Sequence, residues 1–590
     1  SEIEVISQVV VLAKGEGANK KLVSCIVLKD AKELKAIGDS ESHNVLGGKL
    51  ANKVVSDIRE FLGKNLPEYM VPQHFVILDK VPLTVNGKVD KKALLRLSEG
   101  SIRVEDKYVA PRTDIEKRLC RIWEEVLGAK RVGITDNFFN IGGHSLFATQ
   151  VISRIRKLFK IEIPLRALFE NPSIKKLSKV ISTGFKGTSL MAPPLVKIEN
   201  KDRIPLSFSQ QRLWFLDELL PEVALYNIPI AMRLKGSIHK DILIKSLRKI
   251  IERHDSIRTI FKEEDGVAYQ VIIEDVEIIE AVKIKEEDVN KYIDKVINQK
   301  FNLSQGPLAD IKLLEISRGE IILLIVMHHI ISDGWSVGVL FEEMSSLYNS
   351  YVNGEEPNIS DIEVQYTDYS IWQRGWLQGE VLERQLEYWK ARLSGIPDML
   401  ELPTDKNRPR ELTYDGDSYY FSLDKSTSKK LKDICDREGI SLFMLLLGVF
   451  KVLLYKYSNQ NDVVVGSPIA NRSYKEIEPI IGFFVNTLVL RSYVDSRESF
   501  SKLLEQIKKI TLEGYEHQDI PFEQLVDYLK IERSINKNPV FQVMFVLQNA
   551  VNDDYQFQDI EREHLTLPYN VSKFDLLLEA FESRDEIRFR

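Results

Sequence analysis

The spacing of apolar residues changes along the chain, and each change marks a boundary. Near the start, Val5–Leu12 and Leu22–Lys29 are β-patterned, and a stretch around Leu50–Leu62 carries apolar residues at helical spacing. In VPLTVNGKVDKKALL (Val81–Leu95), Asn86-Gly87 predicts a two-residue hairpin, because both positions tolerate positive φ. A polar stretch from Ser98 to Lys107 reads as linker. From Thr113 to about Ile181 the period is helical. Ile115, Leu119, Ile122, Trp123, Val126 and Leu127 share one helix, with Thr113 or Asp114 to cap it and Gly128 to end it. A second helix begins at Ser145 and presents Ala148, Val151, Ile152, Ile155, Leu158 and Phe159. Pro164 and Pro172 mark further breaks, so about four short helices in a bundle are expected. Ser182–Arg203, with Gly184, Gly187, Pro193 and Pro194, reads as a second linker.

From about Ile204 onward, apolar strands alternate with helices. Strands are expected at Ile321–Met327, Val463–Gly466, Leu488–Arg491 and Val540–Leu547, and helices at Ile242–Arg253, Val337–Tyr351 and Leu382–Leu393. Residues 204–590 are too many for one core, so two α/β lobes with a cleft between them are expected.

Composition narrows the picture. The 590 residues are 44% hydrophobic and 28% charged, ordinary for globular protein, and fit about three to five domains. Lys and Arg number 81 against 87 Asp and Glu, a net charge of -6, with no basic stripe for nucleic acid. Cys25, Cys120 and Cys435 lie far apart without CxxC or Cys/His spacing, which predicts neither disulfide framework nor zinc site and fits a reducing cytoplasm. No apolar run approaches the ~20 residues that span a bilayer. The opening SEIEVISQVVVLAKGEG has no basic leader, and the closing DEIRFR stops without a cap; the chain reads as a piece of something larger.

Three segments carry candidate chemistry. In ILLIVMHHIISDGWS (Ile322–Ser336), an apolar strand ends in His328 and His329, followed by Asp333-Gly334. Alternation along a strand sends the two imidazoles to opposite sides, so only one faces a given cleft. The plain alternative is two satisfied histidines and an ordinary turn. Ser145, in DNFFNIGGHSLFATQ, opens an amphipathic helix whose N-terminal dipole favours an attached phosphodiester; the alternative is a simple N-cap serine. A nucleophile elbow is disfavoured, since GHSLF lacks the second glycine of GxSxG. Lys88, in TVNGKVDKKAL, is a hairpin-tip lysine on its own terms.

These words resemble parts of non-ribosomal peptide synthetases. DNFFNIGGHSL resembles the phosphopantetheine attachment site of peptidyl carrier proteins, and PLTVNGKVDKKAL looks like the last motif of an adenylation domain. HHIISDG is similar to the HHxxxDG signature of condensation domains. SFSQQRLWFLDEL (Ser207–Leu219), RHDSIRTIF (Arg253–Phe261), YTDYSIWQ (Tyr366–Gln373), IGFFVNTLVLR (Ile481–Arg491), HQDIPFEQLV (His517–Val526) and NPVFQVMF (Asn538–Phe545) resemble further condensation motifs in the same order.

The resemblance implies a multidomain α/β chain. Residues 1–97 would be the C-terminal subdomain of an adenylation domain, small and α+β. Residues 98–112 would be linker, 113–181 a four-helix-bundle carrier, and 182–203 a second linker. Residues 204–590 would be a two-lobed, chloramphenicol-acetyltransferase-like condensation domain, with lobes at about 204–378 and 379–590 and a truncated C-terminus. Ser145 would carry 4'-phosphopantetheine covalently, added by a phosphopantetheinyl transferase. His329 would be catalytic, as a base or by steadying the reacting groups. His328, Asp333 and Gly334 would support it: Asp333 paired with Arg472, and Gly334 permitting a tight turn that brings His329 to the cleft. Lys88 would serve adenylation, which needs ATP and an absent large subdomain, and so would be idle.

The implied reaction joins a donor acyl group on Ser145 to an aminoacyl group on a downstream carrier, within the rest of the assembly line, with no metal, nucleic acid or membrane. SFSQQRLWFL resembles the class taking an L-configured donor. Epimerisation of the carrier-bound residue and an inactive docking scaffold are the alternatives, while an aspartate-rich motif would be expected for heterocyclisation.

Overall fold

A computed structural model describes residues 108–183, 192–199, 203–219 and 224–531 without interruption. Before these it describes 6–14, 21–28, 35–37, 45–47, 58, 74–78, 80–82, 89–90, 94 and 102–103, and after them 534, 536–548, 555–567, 571–582 and 586–590. The chain forms two compact units, Ser1–Asp114 with Arg131–Asp136, and Ile115–Lys130 with Asn137–Arg590.

In the first unit, β1 (Ile6–Lys14), β2 (Lys21–Leu28), β3 (Lys35–Ile37), β4 (Val45–Gly47), β5 (His74–Leu78) and β6 (Ile102–Arg103) form one sheet. Its order is β1-β2-β5-β4-β3, with β6 also paired to β5. The β2–β5 pairing is parallel and the others antiparallel. Leu12, Cys25, Val76, Leu78 and Leu94 make a small buried core. The two β-patterned runs thus become neighbouring strands. Lys88 and the Asn86-Gly87 hairpin lie outside the described residues, as does all of Leu50–Leu62 except Ile58.

The second unit begins with four helices, α1 (Asp114–Leu127), α2 (Ser145–Phe159), α3 (Leu165–Glu170) and α4 (Ile174–Ser182). Leu119, Ile122, Trp123 and Val126 of α1 are buried, and Trp123 meets Phe138 edge-on at 4.9 Å between centroids. Gly128 leaves α1 at φ 61, a conformation that favours glycine. On α2, Ala148, Val151, Ile152 and Ile155 are buried, while Leu158, expected on the same stripe, is 44% exposed.

The remaining elements, in chain order, are β7 (Ile204–Pro205), α5 (Phe208–Leu219), β8 (Asn227–Gly236), α6 (Lys240–Arg253), β9 (Thr259–Glu264), β10 (Val267–Ile272), β11 (Ile279–Lys283), β12 (Ala309–Ser317), β13 (Glu320–His328), α7 (Gly334–Val352), α8 (Tyr366–Trp376), β14 (Phe421–Leu423), α9 (Leu442–Ser458), β15 (Asp462–Ile469), β16 (Asn486–Tyr493), α10 (Phe500–Glu516), β17 (Val543–Gln548), β18 (Ile560–His564), β19 (Leu576–Glu582) and β20 (Ile587–Phe589), with further helices between them. Three sheets result: β7-β10-β9, β11-β12-β13-β8-β18 and β14-β20-β19-β17-β15-β16.

Strand β13 is buried from Ile321 to His328, which explains its unbroken apolar run. Its core also takes in Leu243, Leu247 and Ile250 of α6 and Leu340, Phe341 and Met344 of α7.

The two sheets built mostly from the first and second halves give the expected α/β lobes, with one exchange. Strand β18, far along the chain, pairs antiparallel with β8 of the first lobe (His564↔Met232). The expected division at about residue 378 is corrected there: residues 560–564 belong with the first sheet, where they satisfy the backbone groups along the edge of β8. The second lobe also reaches back at residues 481–484. A Cβ on Gly482 would lie 2.1 Å from the Tyr366 ring, so the close approach requires glycine, and Tyr366 Oη donates to Phe483 O (2.7 Å). No single helix among the described residues is long and apolar enough to cross a membrane.

Candidate active site

At the end of β13 the two histidines part company. His328 closes the strand, is 4% exposed, and accepts a hydrogen bond at Nδ1 from the backbone N–H of Ile330 (3.2 Å). Tyr226 and Phe301 stand edge-on to it, each 6.4 Å away between centroids. Burial, and then His329 and Lys573, hold its pKa down to about 3. It is a satisfied histidine.

His329 begins a short 3-10 turn, His329–Ile331, so its direction comes from the turn and not from strand alternation. Its N–H donates to Tyr226 O (2.7 Å), and its ring meets Phe483 edge-on at 4.9 Å. The ring is partly accessible, yet protein crowds it closely enough that burial, and then Lys573, lower its pKa to about 4 while Asp333 opposes the shift. Nδ1 is buried with no partner in hydrogen-bond geometry, although interactions with the backbone of His329 and Ser332 favour a proton on the ring. Nε2 is therefore the nitrogen left to face the cavity that the ring lines.

That cavity measures 1440 Å³, and Ser145, His329, Gly334, Trp335, Thr487 and Gln518 are among the residues on its wall. His328 is not.

Asp333 caps α7 from beneath. Its Oδ1 accepts from Ser336 N (2.9 Å), Ser336 Oγ (2.7 Å) and Arg472 Nη2 (3.2 Å), and its Oδ2 from Phe484 N (2.9 Å). Arg472 Nη1 donates to Ile477 O and Ile480 O, both at 2.6 Å, and Nη2 also to Ser336 Oγ (2.8 Å). The guanidinium lies 4.1 Å from the Phe484 ring centroid. Both side chains of the pair are 2% exposed or less. The knot ties α7 to residues 472–484 of the other lobe.

Gly334 departs from its expected reason. It is the first residue of α7, its φ is not positive, and a Cβ built there meets nothing within 4 Å. The turn does not require glycine; what its missing side chain leaves open is cavity space.

Ser145 is the first residue of α2, and the cap position belongs to His144, whose side chain makes no capping hydrogen bond. Ser145 Oγ is buried and unpartnered. Tyr515 interacts with it without reaching hydrogen-bond geometry, and burial pushes the tyrosine hydroxyl up to about 12.

Comparison with known proteins decides what these features belong to. A condensation-domain model matches residues 200–590, and a model described as a phosphopantetheine attachment site matches 117–181. The chain belongs to the condensation-domain family. It is 42% identical over 596 residues to one of the linear gramicidin synthase proteins of Brevibacillus parabrevis (98% of this chain, 11% of that protein). Tyrocidine synthase 3 of the same organism is 39% identical over 536 residues (91% and 8%). Bacitracin synthase 3 of Bacillus licheniformis is 39% identical over 542 residues (91% and 8%). The chain spans about a tenth of the length of these curated relatives. Among solved structures, the X-domain from teicoplanin biosynthesis shares the fold with TM-score 0.62 at 24% identity, covering 67% of this chain and 91% of that one. The first condensation domain of the CDA synthetase does so with TM-score 0.56 at 16% identity (66% and 93%).

The chain is therefore part of a non-ribosomal peptide synthetase, and its condensation domain is an amide-bond-forming acyltransferase. Its carrier domain takes covalently attached 4'-phosphopantetheine, and such domains work with other carriers of an assembly line. Ser145 fits the group: an orphaned buried hydroxyl at a helix N-terminus, opening on a cavity.

The carrier and the condensation domain touch through charges that the sequence did not single out. Arg154 of α2 donates to both oxygens of Glu478 (3.0 and 3.1 Å) and to Glu125 (3.1 Å); Lys157 meets Glu476 at 2.7 Å. The balance within the first pair is close. Burial works against the Arg154 charge, but Glu478 and then Glu125 outweigh it and the pKa rises; at Glu478 burial outweighs Arg154, and the carboxyl pKa also rises. Trp335 Nε1 donates to Glu478 O (2.9 Å), so the HHIISDGW segment carries both the imidazole and a support for the dock. The signal that could have found it is the two-glutamate KEIEP one residue before IGFFVNT.

The other motif words have structural duties. Arg253 and His254 both pair with Glu343, and Arg258 with Asp255. Asn486 Nδ2 donates to Gln518 O and Ile520 O, both at 2.8 Å, fastening the HQDIPFE loop. His517 stacks on Tyr388 with centroids 3.9 Å apart.

Proposed function

We propose that this chain joins an acyl group, delivered from its own carrier at Ser145, to the amine of an aminoacyl group delivered by a downstream carrier. The observation that carries the reading is that Ser145 and His329 line one 1440 Å³ cavity. When attached at Ser145, 4'-phosphopantetheine supplies a thiol that holds the acyl group as a thioester.

His329 does its work as a neutral imidazole. With Nδ1 buried against protein, Nε2 is the nitrogen left to accept a hydrogen bond from the incoming amine. A pKa near 4 keeps its lone pair free at neutral pH, but makes the ring a weak proton store. Orienting the amine therefore suits it better than removing the proton outright. Asp333 and Arg472 hold the turn that aims the ring. His328 keeps the strand end packed, and Gly334 keeps the cavity wall clear.

The finer assignments follow the resemblance. Residues 1–97 act as the C-terminal subdomain of an adenylation domain with Lys88 idle, the donor is L-configured, a phosphopantetheinyl transferase modifies Ser145, and the site of action is the cytoplasm, away from membranes. The test is to treat the chain with a phosphopantetheinyl transferase and an acyl-coenzyme A, add a soluble aminoacyl thioester, and analyse products by mass spectrometry and chiral chromatography. Amide is the expected product. A racemised donor without amide would instead identify an epimerase, and an unchanged donor a docking scaffold.

A further inference from the structure

One cationic side chain on the cavity wall has no part in the motifs. Lys573 lies in YNVSKFDLLLE, just before β19, and lines the same cavity as Ser145 and His329. Its main chain is pinned on several sides. Lys573 O accepts from Asn538 Nδ2 (2.6 Å), Ser572 N donates to Tyr414 O (2.8 Å), and Phe574 stacks on Phe541 at 5.7 Å. The NPVFQ word thus serves to fix this lysine. Its ammonium stands 4.7 Å from the centroid of Tyr226, whose carbonyl accepts the His329 N–H. The neighbouring cation, Arg212, is paired with Glu523. Among the described residues, the Lys573 ammonium has no carboxylate partner.

The backbone beneath this lysine is pinned, and its ammonium rests on an aromatic ring without a carboxylate to neutralise it. Resting on the function proposed above, we infer that Lys573 donates a hydrogen bond to the carbonyl oxygen of the acyl group under attack. As the amine nitrogen bonds to the carbonyl carbon, negative charge gathers on that oxygen, and a cationic donor on the cavity wall stabilises it. The carbon–sulfur bond then breaks; the sulfur leaves with the electron pair and takes up the proton that the amine gives up. Lys573 keeps its proton throughout, so the reaction balances without a further reagent.

Its charge is sensitive to pH. Burial, and then Arg212, lower the Lys573 pKa to about 8. The charge that bears on it is Arg212, itself paired with Glu523; the Tyr226 ring faces the ammonium, and Lys573 in turn acts on His328 and on His329, which has Asp333 behind it. The charged form is present below about 8 and is lost as pH rises through it. Arginine at this position would stay charged.

The test compares the full chain with Lys573→Met and Lys573→Arg in three measurements. Thermal unfolding checks the fold. NMR titration of 13C-labelled imidazoles, on chain without any arm, reads the repulsion directly: His329 should titrate at higher pH in Lys573→Met and stay near its wild-type value in Lys573→Arg. Amide formation should fall about 100-fold in Lys573→Met. It should be largely kept in Lys573→Arg, which loses the fall in rate above pH 8. Wild-type turnover in Lys573→Met, or an imidazole titration unmoved by it, overturns the inference while leaving the proposed function standing. If the wild-type chain itself forms no amide, the proposed function fails, and the titration alone decides whether Lys573 faces His329.

Discussion

Asp333 and His329 sit four positions apart, and their surroundings are opposites. The two oxygens of Asp333 accept four hydrogen bonds, and Arg472 behind it donates to two carbonyls and a hydroxyl besides the carboxylate. Every one of these contacts is internal and buried. On the cavity side, His329 Nδ1 and Ser145 Oγ are buried and make no hydrogen bond of good geometry. Buried polar atoms are normally satisfied, because leaving one unpaired costs about 1–3 kcal/mol. The Asp333 carboxylate is fully engaged by the fold although it too borders the cavity, whereas the His329 ring and the Ser145 hydroxyl keep hydrogen-bonding capacity to spare.

The sharpest way to break this contrast is Ser145→Ala. It removes an oxygen that meets the Tyr515 hydroxyl outside hydrogen-bond geometry, so we expect complete loss of phosphopantetheine attachment with nearly unchanged thermal unfolding. Intact-mass analysis after treatment with a phosphopantetheinyl transferase and coenzyme A reads the outcome. A mass gain in the variant would place the arm elsewhere.

Next comes the pair that defines the comparison. His329→Ala should slow amide formation by roughly 10²–10⁴-fold while melting like wild type. Asp333→Ala should do the reverse: it strands the Arg472 charge in the interior and should cost about 3–5 kcal/mol of stability, with activity lost only as the fold is lost. Adding Arg472→Met to Asp333→Ala should recover part of that stability, since no unpaired charge remains. If Asp333→Ala melts normally and is inactive, the aspartate belongs with the chemistry and the contrast collapses.

The sequence made the carrier helices, the central strands and the histidine pair legible for a local reason. Each is written in contiguous residues: a 3.6-residue stripe on α1 and α2, an unbroken apolar run in β13, and HHIISDG at its end. Sequence spacing also suggested that the two histidines diverge, although a 3-10 turn and not strand pleating turns His329. What stayed hidden is non-local. Strand β18 completes a sheet begun more than 300 residues earlier, and no periodicity in IEREH announces its partner. Glu478 and Lys573 carry no signal in the sequence, because their significance arises only where Arg154 or His329 is folded near them. Gly334 was legible as a glycine but not for its reason, since open space is a property of the cavity and not of the turn.

A smaller effect is expected at the carrier dock. Arg154→Glu should slow transfer from Ser145 by several-fold without touching arm attachment, and Glu478→Arg in the same chain should restore part of the rate. The effect should shrink as salt is raised, because both side chains retain 12% exposure at the interface. Single-turnover kinetics on the loaded chain would measure it. A defect identical at low and high salt, and unrescued by the reversal, would mean that the ion pair is incidental to docking.

The smallest effect concerns pH and stability, and it divides the two histidines once more. Burial is the leading cause that lowers both pKa values, to about 3 for His328 and about 4 for His329, against about 6.5 in an unfolded chain. Below pH 6.5 the unfolded chain therefore binds protons that the folded chain refuses, so stability falls as pH falls toward 4. At pH 5.5 each such group should contribute roughly 1 kcal/mol of this loss, and less for His329, whose ring is partly accessible. His328→Asn keeps an acceptor near Nδ1 for the Ile330 N–H but removes the titration. Its melting temperature should therefore change less between pH 7 and 5.5 than that of wild type, with amide formation nearly intact. Equal slopes in the two proteins would mean that His328 is solvated in solution, and the argument that only its neighbour faces open space would lose its support.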